Sequence, residues 1–390
     1  VTRILVIGGG IAGTATAMAL HKAGFDVTVH EAHPDTAEDI GAFLTLASNG
    51  MRALAQLDAS AAVTAIGFPL HSMRVLDAQG GEAAHVPLGE ADDVLLRYRC
   101  LRRGELNAAL QAEAVRRGIA FTHGTRLVSV DDGPDQVTAR FADGSVETGD
   151  LLIGADGLNS TIRRSIAPGT EPGYAGQCVF YGYTRTAPVP EDTGHITMVR
   201  GSTAAFGYAV SPDRETYWFA RVSGRVISAD ELAHPTPARW REQLVELLSK
   251  DTTPAASIVA ASTDDILATN ATELPPGAPW RSGRTLIVGD AAHAASPATG
   301  QGASMALEDA VVLAKSLRDT PDPESAFALY EAHRRPRVEH NTTVSGQISR
   351  GTRTPPRTGR GAAPQRPGDD TLVTQLAWDV DMRTVSGSTD

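Results

Sequence analysis

Apolar and polar positions follow two rhythms along this chain, and their succession predicts the elements. Residues 3–7 form a short, almost wholly apolar run of buried-strand type. A glycine turn follows, then an alanine-rich stretch over 11–23 that predicts a helix. Residues 27–31 predict the next strand, so the chain opens as a β-α-β unit. Residues 49–57 predict a further helix, and 72–77 with 82–87 a hairpin around Gly80 and Gly81. Residues 103–117 carry apolar positions at helical spacing and stop at Gly118, where a C-terminal glycine belongs. Several strands are expected over 119–147, with turns at Asp132-Gly133-Pro134 and Asp143-Gly144. Residues 151–153 predict another short buried strand.

From 177 to 222 the pattern alternates and is rich in aromatics: Phe180, Tyr181, Tyr183, Phe206, Tyr208, Tyr217, Trp218 and Phe219. This predicts an antiparallel sheet with a turn at Pro212-Asp213. Core packing explains most of those rings, and two or three are expected to line a pocket. Helices are expected over 240–248 and 303–317, with a buried strand at 285–288 between them. Residues 350–369, rich in Pro, Gly, Arg and Thr, read as a linker or tail segment. A last helix is expected over 372–385.

The length of 390 residues predicts two or three domains, because single cores stop growing near ~250–300 residues. The formal net charge of −11 argues against broad electrostatic binding to nucleic acid or to an anionic membrane. The two cysteines, Cys100 and Cys178, have no paired metal spacing and are expected to be buried or incidental thiols. No metal site is expected. The first strand begins almost at once, which leaves no room for a cleavable leader, and no apolar stretch is long enough to span a bilayer. The expectation is a soluble, cytoplasmic protein with no stable membrane association.

The candidate chemistry begins at Gly8-Gly9-Gly10-Ile11-Ala12-Gly13, which contains G-x-G-x-x-G. A strand precedes it, a helix follows, and Glu31 ends the second strand at suitable spacing, so the context is that of a dinucleotide fingerprint. Gly8 permits the tight turn, Gly10 lets a pyrophosphate approach the backbone, and Gly13 allows close packing of helix on strand. The helix N-terminus, with Ile11 and Ala12 in its first turn, presents N–H groups and partial positive charge to phosphates. Glu31 is placed to accept hydrogen bonds from a ribose diol. The fingerprint alone does not separate FAD from a nicotinamide nucleotide.

Two later motifs do. Leu286-Ile287-Val288-Gly289-Asp290-Ala291-Ala292-His293-Ala294 leads to Ser296-Pro297 and Gly300-Gln301-Gly302, with Glu308-Asp309-Ala310 in the helix beyond. Leu152-Ile153-Gly154-Ala155-Asp156-Gly157 is followed by Ser160 and Arg163. With the N-terminal fingerprint, these stand in the order and rough spacing of the FAD-dependent aromatic-ring monooxygenases, and the chain resembles para-hydroxybenzoate hydroxylase and its single-component relatives. Residues 41–54 also resemble the segment that flanks the flavin in that family.

The resemblance implies roles residue by residue. Asp290, beside Gly289, is expected at the ribityl hydroxyls; its other reading is a helix N-cap. Gly300 and Gly302 remove side chains where a flat ring passes the backbone. The helix beginning near Ala303 aims its positive end at the flavin pyrimidine edge. Pro297 is expected beside the isoalloxazine ring. Where the family often has Asn, this chain has Ser304. Arg103 is expected to reach the FAD phosphates, its alternative being a surface arginine next to Arg102. Asp156 is expected near both nucleotide phosphates or, alternatively, as a turn residue before Gly157. His293 is read as facing the active site or as a satisfied structural histidine. No residue is assigned as a catalytic acid, base or nucleophile, because the flavin carries the chemistry.

The expected fold class is α/β: a Rossmann-like FAD-binding domain with an inserted antiparallel β-sheet substrate domain and C-terminal helices. Residues 1–71, 98–170 and 279–345 are expected to form the FAD-binding domain, 72–97 and 171–278 the substrate domain, and 346–390 a linker with a C-terminal helix. The implied cycle uses NADPH or NADH as transient co-substrate, and dioxygen. It hydroxylates or epoxidises an aromatic or other electron-rich small molecule through a flavin hydroperoxide, as natural-product tailoring enzymes do. The alternative is a flavoprotein of the same fold that halogenates, reduces or dehydrogenates without oxygen insertion.

Overall fold

In the computed structural model of the chain, residues 1–38, 41–90, 92–189, 194–262, 266–352 and 369–385 are described. The β-α-β opening forms where the apolar runs place it. The strand Arg3–Ile7 pairs in parallel with Asp26–His30 on one side and Leu151–Gly154 on the other. The full sheet runs in the order Arg281–Ser282, Thr285–Ile287, Leu151–Gly154, Arg3–Ile7, Asp26–His30, Ala120–Thr122. Both faces of its centre are covered, which is why these strands read as unbroken apolar runs rather than alternating ones. The helix Ile11–Lys22 is sandwiched between this sheet and the helix Gly302–Asp319.

A seven-stranded sheet forms the second layer. It gathers the hairpin Ser72–Leu76 and Glu82–Pro87 together with Gly173–Thr184, His195–Arg200, Ala204–Val210, Thr216–Ser223 and Leu267–Glu273. Its pairing is antiparallel except between His195–Arg200 and Ser72–Leu76, which run parallel. The hairpin is therefore joined to strands that lie far from it in the chain. Alternation along each strand sends one set of side chains to each face. Trp218, Phe206 and Phe180 pack against Trp240, Leu244 and Ile258 of two covering helices. Tyr181, Tyr183, Tyr217 and Phe219 point the other way, onto Phe43. Phe43 belongs to a small sheet of Phe43–Leu46, Tyr98–Arg102 and Phe68–Leu70, which lies between the two large ones.

The strands of residues 119–149 divide between sheets. Ala120–Thr122 joins the parallel sheet, while Leu127–Asp132, Val137–Phe141 and Val146–Gly149 form a separate three-stranded one. The helix Pro323–Ser349 was not anticipated from the pattern, because Pro336 interrupts it and its buried positions include His333 and Arg334. The last helix is Asp369–Leu376, shorter than the periodicity of 372–385 predicts. Lys315 Nζ donates to the carbonyls of Gln375 and Ala377 at 2.5 and 2.6 Å, ending the helix there. Asp381 then caps a separate short turn, Met382–Thr384. Of the expected linker, residues 353–368 lie outside the described residues. No helix among the described residues is long and apolar enough to cross a membrane.

Candidate functional site

The fingerprint turn is built on steric necessity. Gly8 has φ +106°, and a Cβ there would lie 2.3 Å from the Ala155 carbonyl oxygen. A Cβ on Gly13 would lie 1.8 Å from the Gly8 carbonyl oxygen, so helix and turn touch backbone to backbone. A Cβ on Gly10 would meet nothing within 4 Å. Packing therefore explains Gly8 and Gly13, whereas Gly10 borders open space. The backbone of Gly9 is fully engaged. Its N–H donates to Glu31 at 2.5 Å, and its carbonyl accepts from Thr14 Oγ1 at 2.9 Å and Gln111 Nε2 at 2.7 Å. Glu31 also accepts from the His33 N–H at 2.6 Å. That uses two of about four acceptor positions on a carboxylate and leaves it able to take a hydroxyl. The first intrahelical bond is Thr14 N–H to the Gly10 carbonyl at 2.9 Å; the N–H groups of Ile11, Ala12 and Gly13 precede it, as the first turn of any helix requires.

The second turn is held quite differently. Gly289 adopts φ +59° and precedes the four-residue helix Asp290–His293. Its N–H donates to Asp309 Oδ2 at 3.1 Å, and the same oxygen lies 2.5 Å from His293 Nε2. His293 is thus a satisfied structural histidine. Arg334 clamps both acids of the helix Gly302–Asp319, reaching Asp309 at 2.8 Å and Glu308 at 2.5 Å. Arg337 adds two contacts to Glu308 at 2.8 Å, and Asn49 one at 2.6 Å. Burial opposes ionisation of Glu308, but Arg334 and Arg337 hold its carboxyl down at about 2. Burial likewise opposes that of Asp309, which His293 and Arg334 hold at about 2. Of this network Gly289, His293, Glu308 and Asp309 stood in the sequence motif, and Asn49 in the 41–54 segment. Arg334 and Arg337 come from a segment that no motif marked.

Asp290 itself is exposed, and its side chain accepts no hydrogen bond among the described residues; the N-cap position belongs to Gly289. Its carboxylate is free to meet a ligand. Asp156 is placed otherwise. It accepts from Ser160 Oγ at 2.5 Å, from the Thr161 N–H at 2.8 Å and from the Ile162 N–H at 3.2 Å. Its side chain therefore takes the first two N–H groups of the helix Thr161–Ile166, whose N-cap Ser160 accepts from the Arg163 N–H at 2.8 Å. Arg163 of that helix is buried and donates to the Ala291 carbonyl at 3.2 Å, tying the middle motif to the Gly289 turn.

Pro297 is exposed at the start of a short turn, Pro297–Thr299, which Ser345 and Ser349 anchor through Ser296 and Thr299. Gly300 takes the left-handed conformation at φ +66°, and a Cβ on Gly302 would meet open space. Ala303 lies in the first turn of the helix Gly302–Asp319. Ser304 is fully buried, with its hydroxyl accepting from the Ala47 N–H at 3.2 Å. Anything this helix end offers a ligand at that position is therefore backbone N–H. Arg102 and Arg103 are distinct in this setting. Arg102 is committed to Glu215 at 3.0 Å and stacks 4.0 Å from the Tyr183 ring centroid. Arg103 is exposed; its backbone N–H donates to the Ala42 carbonyl at 3.0 Å, and its side chain makes no hydrogen bond among the described residues; its stem passes 3.4 Å from the Cβ position of Gly41.

The 297–302 turn reaches the aromatic sheet face through one strand. Thr45 Oγ1 lies 3.5 Å from the Cβ position of Gly300, and Phe43 in the same strand meets Tyr181 edge-on at 6.1 Å. The strand Phe43–Leu46 thus joins the exposed proline turn to the aromatic wall. Among the described residues no cluster of His, Cys, Asp and Glu is arranged for a metal ion.

Comparison with known proteins agrees in one direction. The family model described as "FAD binding domain" matches residues 1–345. Aurachin C monooxygenase/isomerase from Stigmatella aurantiaca is 31% identical over 88% of this chain and 87% of its own length. The 6-hydroxynicotinate 3-monooxygenase of Pseudomonas fluorescens is 31% identical over 88% of this chain and 90% of its own. Among solved structures, HpxO of Klebsiella pneumoniae complexed with FAD and uric acid superposes with a TM-score of 0.80 at 26% identity, covering 98% of this chain and 95% of that one.

Proposed function

The chain belongs to the FAD binding domain family and is an FAD-dependent monooxygenase, and we propose that it hydroxylates or epoxidises an electron-rich aromatic small molecule between the 297–302 turn and the Tyr181–Phe219 sheet face. The observation that carries this placement is the continuity just described: Gly300 against Thr45, and Phe43 against the aromatic wall. 6-Hydroxynicotinate, on which one relative acts, and uric acid, which a structural neighbour binds, are small nitrogen heteroaromatics, and we propose the same size class here. Residues 1–71, 98–170 and 279–345 serve the cofactor in this reading, and 72–97 with 171–278 the substrate. The two buried free thiols, Cys100 and Cys178, support a reducing, cytoplasmic setting.

The residues fit FAD on two observations: the open space over Gly10 and Gly302, which a side chain would fill, and the free carboxylate of Asp290. When bound, FAD supplies the redox chemistry, taking electrons from NADH or NADPH and passing one atom of dioxygen to the substrate. The chain does the rest. The first-turn N–H groups at Ile11, Ala12 and Gly13 bind the pyrophosphate, and Arg103 neutralises phosphate charge. Glu31 accepts from ribose hydroxyls and Asp290 from the ribityl chain. The N–H groups of Gly302 and Ala303 direct the positive helix end at the pyrimidine edge, where negative charge gathers on reduction. Pro297 and Gly300 shape the wall beside the ring and exclude water. Asp156 acts at one remove, by fixing the helix Thr161–Ile166 and with it Arg163.

Incubation of the holoprotein with NADPH and candidate aromatics under labelled dioxygen tests the reading. One labelled oxygen atom per product molecule is expected. Label arriving from water alone, or a product changed only by hydrogen or halogen, rejects it.

A further inference from the structure

In Gly300-Gln301-Gly302 the glycines clear space, and the side chain between them is held in a definite way. Gln301 is the N-cap residue of the helix Gly302–Asp319, yet its side chain does not fold back onto that helix. Instead its Oε1 accepts from Asn49 Nδ2 at 3.0 Å. Asn49 stands in the first turn of the helix Ser48–Gln56, and the same Nδ2 donates to Glu308 Oε1 at 2.6 Å. The two helix starts lie against one another: a Cβ on Gly50 would lie 2.7 Å from Ser304 Oγ.

The direction of this chain of amides is forced from its buried end. Burial opposes ionisation of Glu308, but Arg334 and Arg337 hold its carboxyl down at about 2, so it is a carboxylate. An ionised carboxylate only accepts hydrogen bonds, and an amide nitrogen only donates. Asn49 must therefore turn its NH2 group to Glu308. At 3.0 Å from that same nitrogen, Gln301 must present an acceptor, which puts its oxygen toward Asn49 and its Nε2 away from it. Nε2 makes no hydrogen bond among the described residues and is not sealed in the interior. It belongs to the residue before Gly302, where a Cβ would meet nothing within 4 Å.

Fixing a glutamine side chain costs rotamer entropy, and burial does not demand the tie, because Asn49 and Gln301 are both only half-buried and water could serve either amide. The aimed donor is thus available to a ligand. Resting on the reading of the site above, we infer that Gln301 donates a hydrogen bond from Nε2 to the pyrimidine edge of FAD, with Asn49 and Glu308 as the positioning residues that aim it. Gly302 and Ala303 bring their N–H groups to the same edge in that reading, and Gln301 adds a side-chain donor to these backbone ones. The edge gains negative charge when FAD is reduced, and a hydrogen bond to a charged acceptor is roughly twice as strong as one to a neutral acceptor. Gln301 therefore favours the reduced state over the oxidised one and raises the potential at which the protein accepts electrons. Because the donor is aimed before the charge develops, nothing has to reorganise when it does.

The midpoint potential of the FAD-loaded protein, measured by equilibration with a redox dye, tests this. Gln301→Met removes the donor without adding charge. It should weaken binding of reduced relative to oxidised FAD about tenfold, which lowers a two-electron midpoint potential by about 30 mV. Asn49→Leu leaves Gln301 in place but unaimed, and should lower the potential in the same direction by a smaller amount. Gln301→Glu keeps an oxygen for Asn49 and replaces the outward NH2 group by a second oxygen, so its potential should lie below that of Gln301→Met. A side chain that only ties two helices would act otherwise: Gln301→Met would lower the melting temperature of the FAD-free protein and leave the potential where it was. A wild-type potential in Gln301→Met therefore overturns the contact with FAD, and one in Asn49→Leu overturns the aiming. A Gln301→Glu potential above that of Gln301→Met overturns the direction of the donor. Where a variant sheds FAD, the dissociation constants of oxidised and reduced FAD give the same ratio. None of these measurements involves the organic substrate or oxygen insertion, which the labelled-dioxygen experiment decides separately.

Discussion

The turn after the first strand and the turn at Gly289 are both assigned to the cofactor in the proposed reading, and they are fixed by different physics. The first is set by backbone contact: no side chain fits at Gly8 or Gly13, and the polar ties to Gly9 come from Glu31, Thr14 and Gln111. The second is set by buried charge, with Gly289 hung from Asp309, and Asp309 and Glu308 locked by Arg334. The first arrangement tolerates changes in charge but not in volume. The second tolerates modest changes in volume but not the loss of one partner.

The largest effect should follow from breaking the charge lock. Arg334→Met leaves Glu308 and Asp309 buried with too few cations, a change of a kind that costs about 3–5 kcal/mol. Urea unfolding should show that loss, with FAD retention falling alongside. A variant within about 1 kcal/mol of wild type would mean that Arg337 and His293 suffice, and that the two turns are less different than argued.

Acid should act on the second turn first. Glu308 and Asp309 titrate in the folded protein at about 2, below their ordinary values of 4.5 and 3.8. A depressed folded value means that the stabilisation is present above the ordinary value and is lost as pH falls toward the folded one. The melting temperature should therefore decline progressively from about pH 5 downward, and the decline should be shallower in Glu308→Gln. Identical slopes in the two proteins would remove Glu308 from the acid response.

These contrasts explain what could be read in the sequence. Gly8 and Gly13 were legible because their requirement is local: a turn and a packing contact within six residues. The parallel strands were legible because burial on both faces leaves unbroken apolar runs. Arg334 and Arg337 were not, because their partners stand about a full helix and a connection away, and Pro336 between them hides the helix that carries them. The sheet's parallel pairing of Ser72–Leu76 with His195–Arg200 was equally hidden, since alternation gives the face of a strand but not its neighbour.

Volume is the lever at the first turn, with a middling effect. Gly13→Ala must push the helix off the Gly8 carbonyl, and overpacking of this kind costs about 1–3 kcal/mol. Gly10→Ala adds a methyl to open space and should leave the melting temperature of the FAD-free protein unchanged. Its FAD occupancy should nonetheless fall, because the methyl stands where the pyrophosphate approaches. If Gly10→Ala binds FAD normally, the open space is not a phosphate site. If both variants destabilise the FAD-free protein alike, the distinction between packing glycine and ligand glycine fails.

The smallest effects on stability, and the sharpest comparison, concern two aspartates with similar signals in the sequence. Asp156 and Asp290 each close a buried parallel strand next to glycine, and the family resemblance assigns both to the nucleotide. The structure separates them by what their oxygens already touch. Asp156 accepts three bonds from Ser160, Thr161 and Ile162. Asp156→Ala should therefore lose the acceptor of the first two helix N–H groups and the tie on the N-cap Ser160, about 0.5–2 kcal/mol of stability, in FAD-free and FAD-loaded protein alike. Asp290 is exposed and accepts none among the described residues, so Asp290→Ala should stay within about 0.5 kcal/mol of wild type without FAD. Its loss should appear only with the ligand, as FAD affinity weakened by about 1.5–3 kcal/mol if a charge-assisted bond to the ribityl chain disappears. Melting curves with and without added FAD read both terms at once, because a ligand raises stability only through the state it binds. Should Asp290→Ala lower the melting temperature equally with and without FAD, its carboxylate has a structural task and the two aspartates are alike after all. Should Asp156→Ala spare the FAD-free protein and weaken only FAD binding, those contacts are dispensable and the phosphate role passes to Asp156 directly.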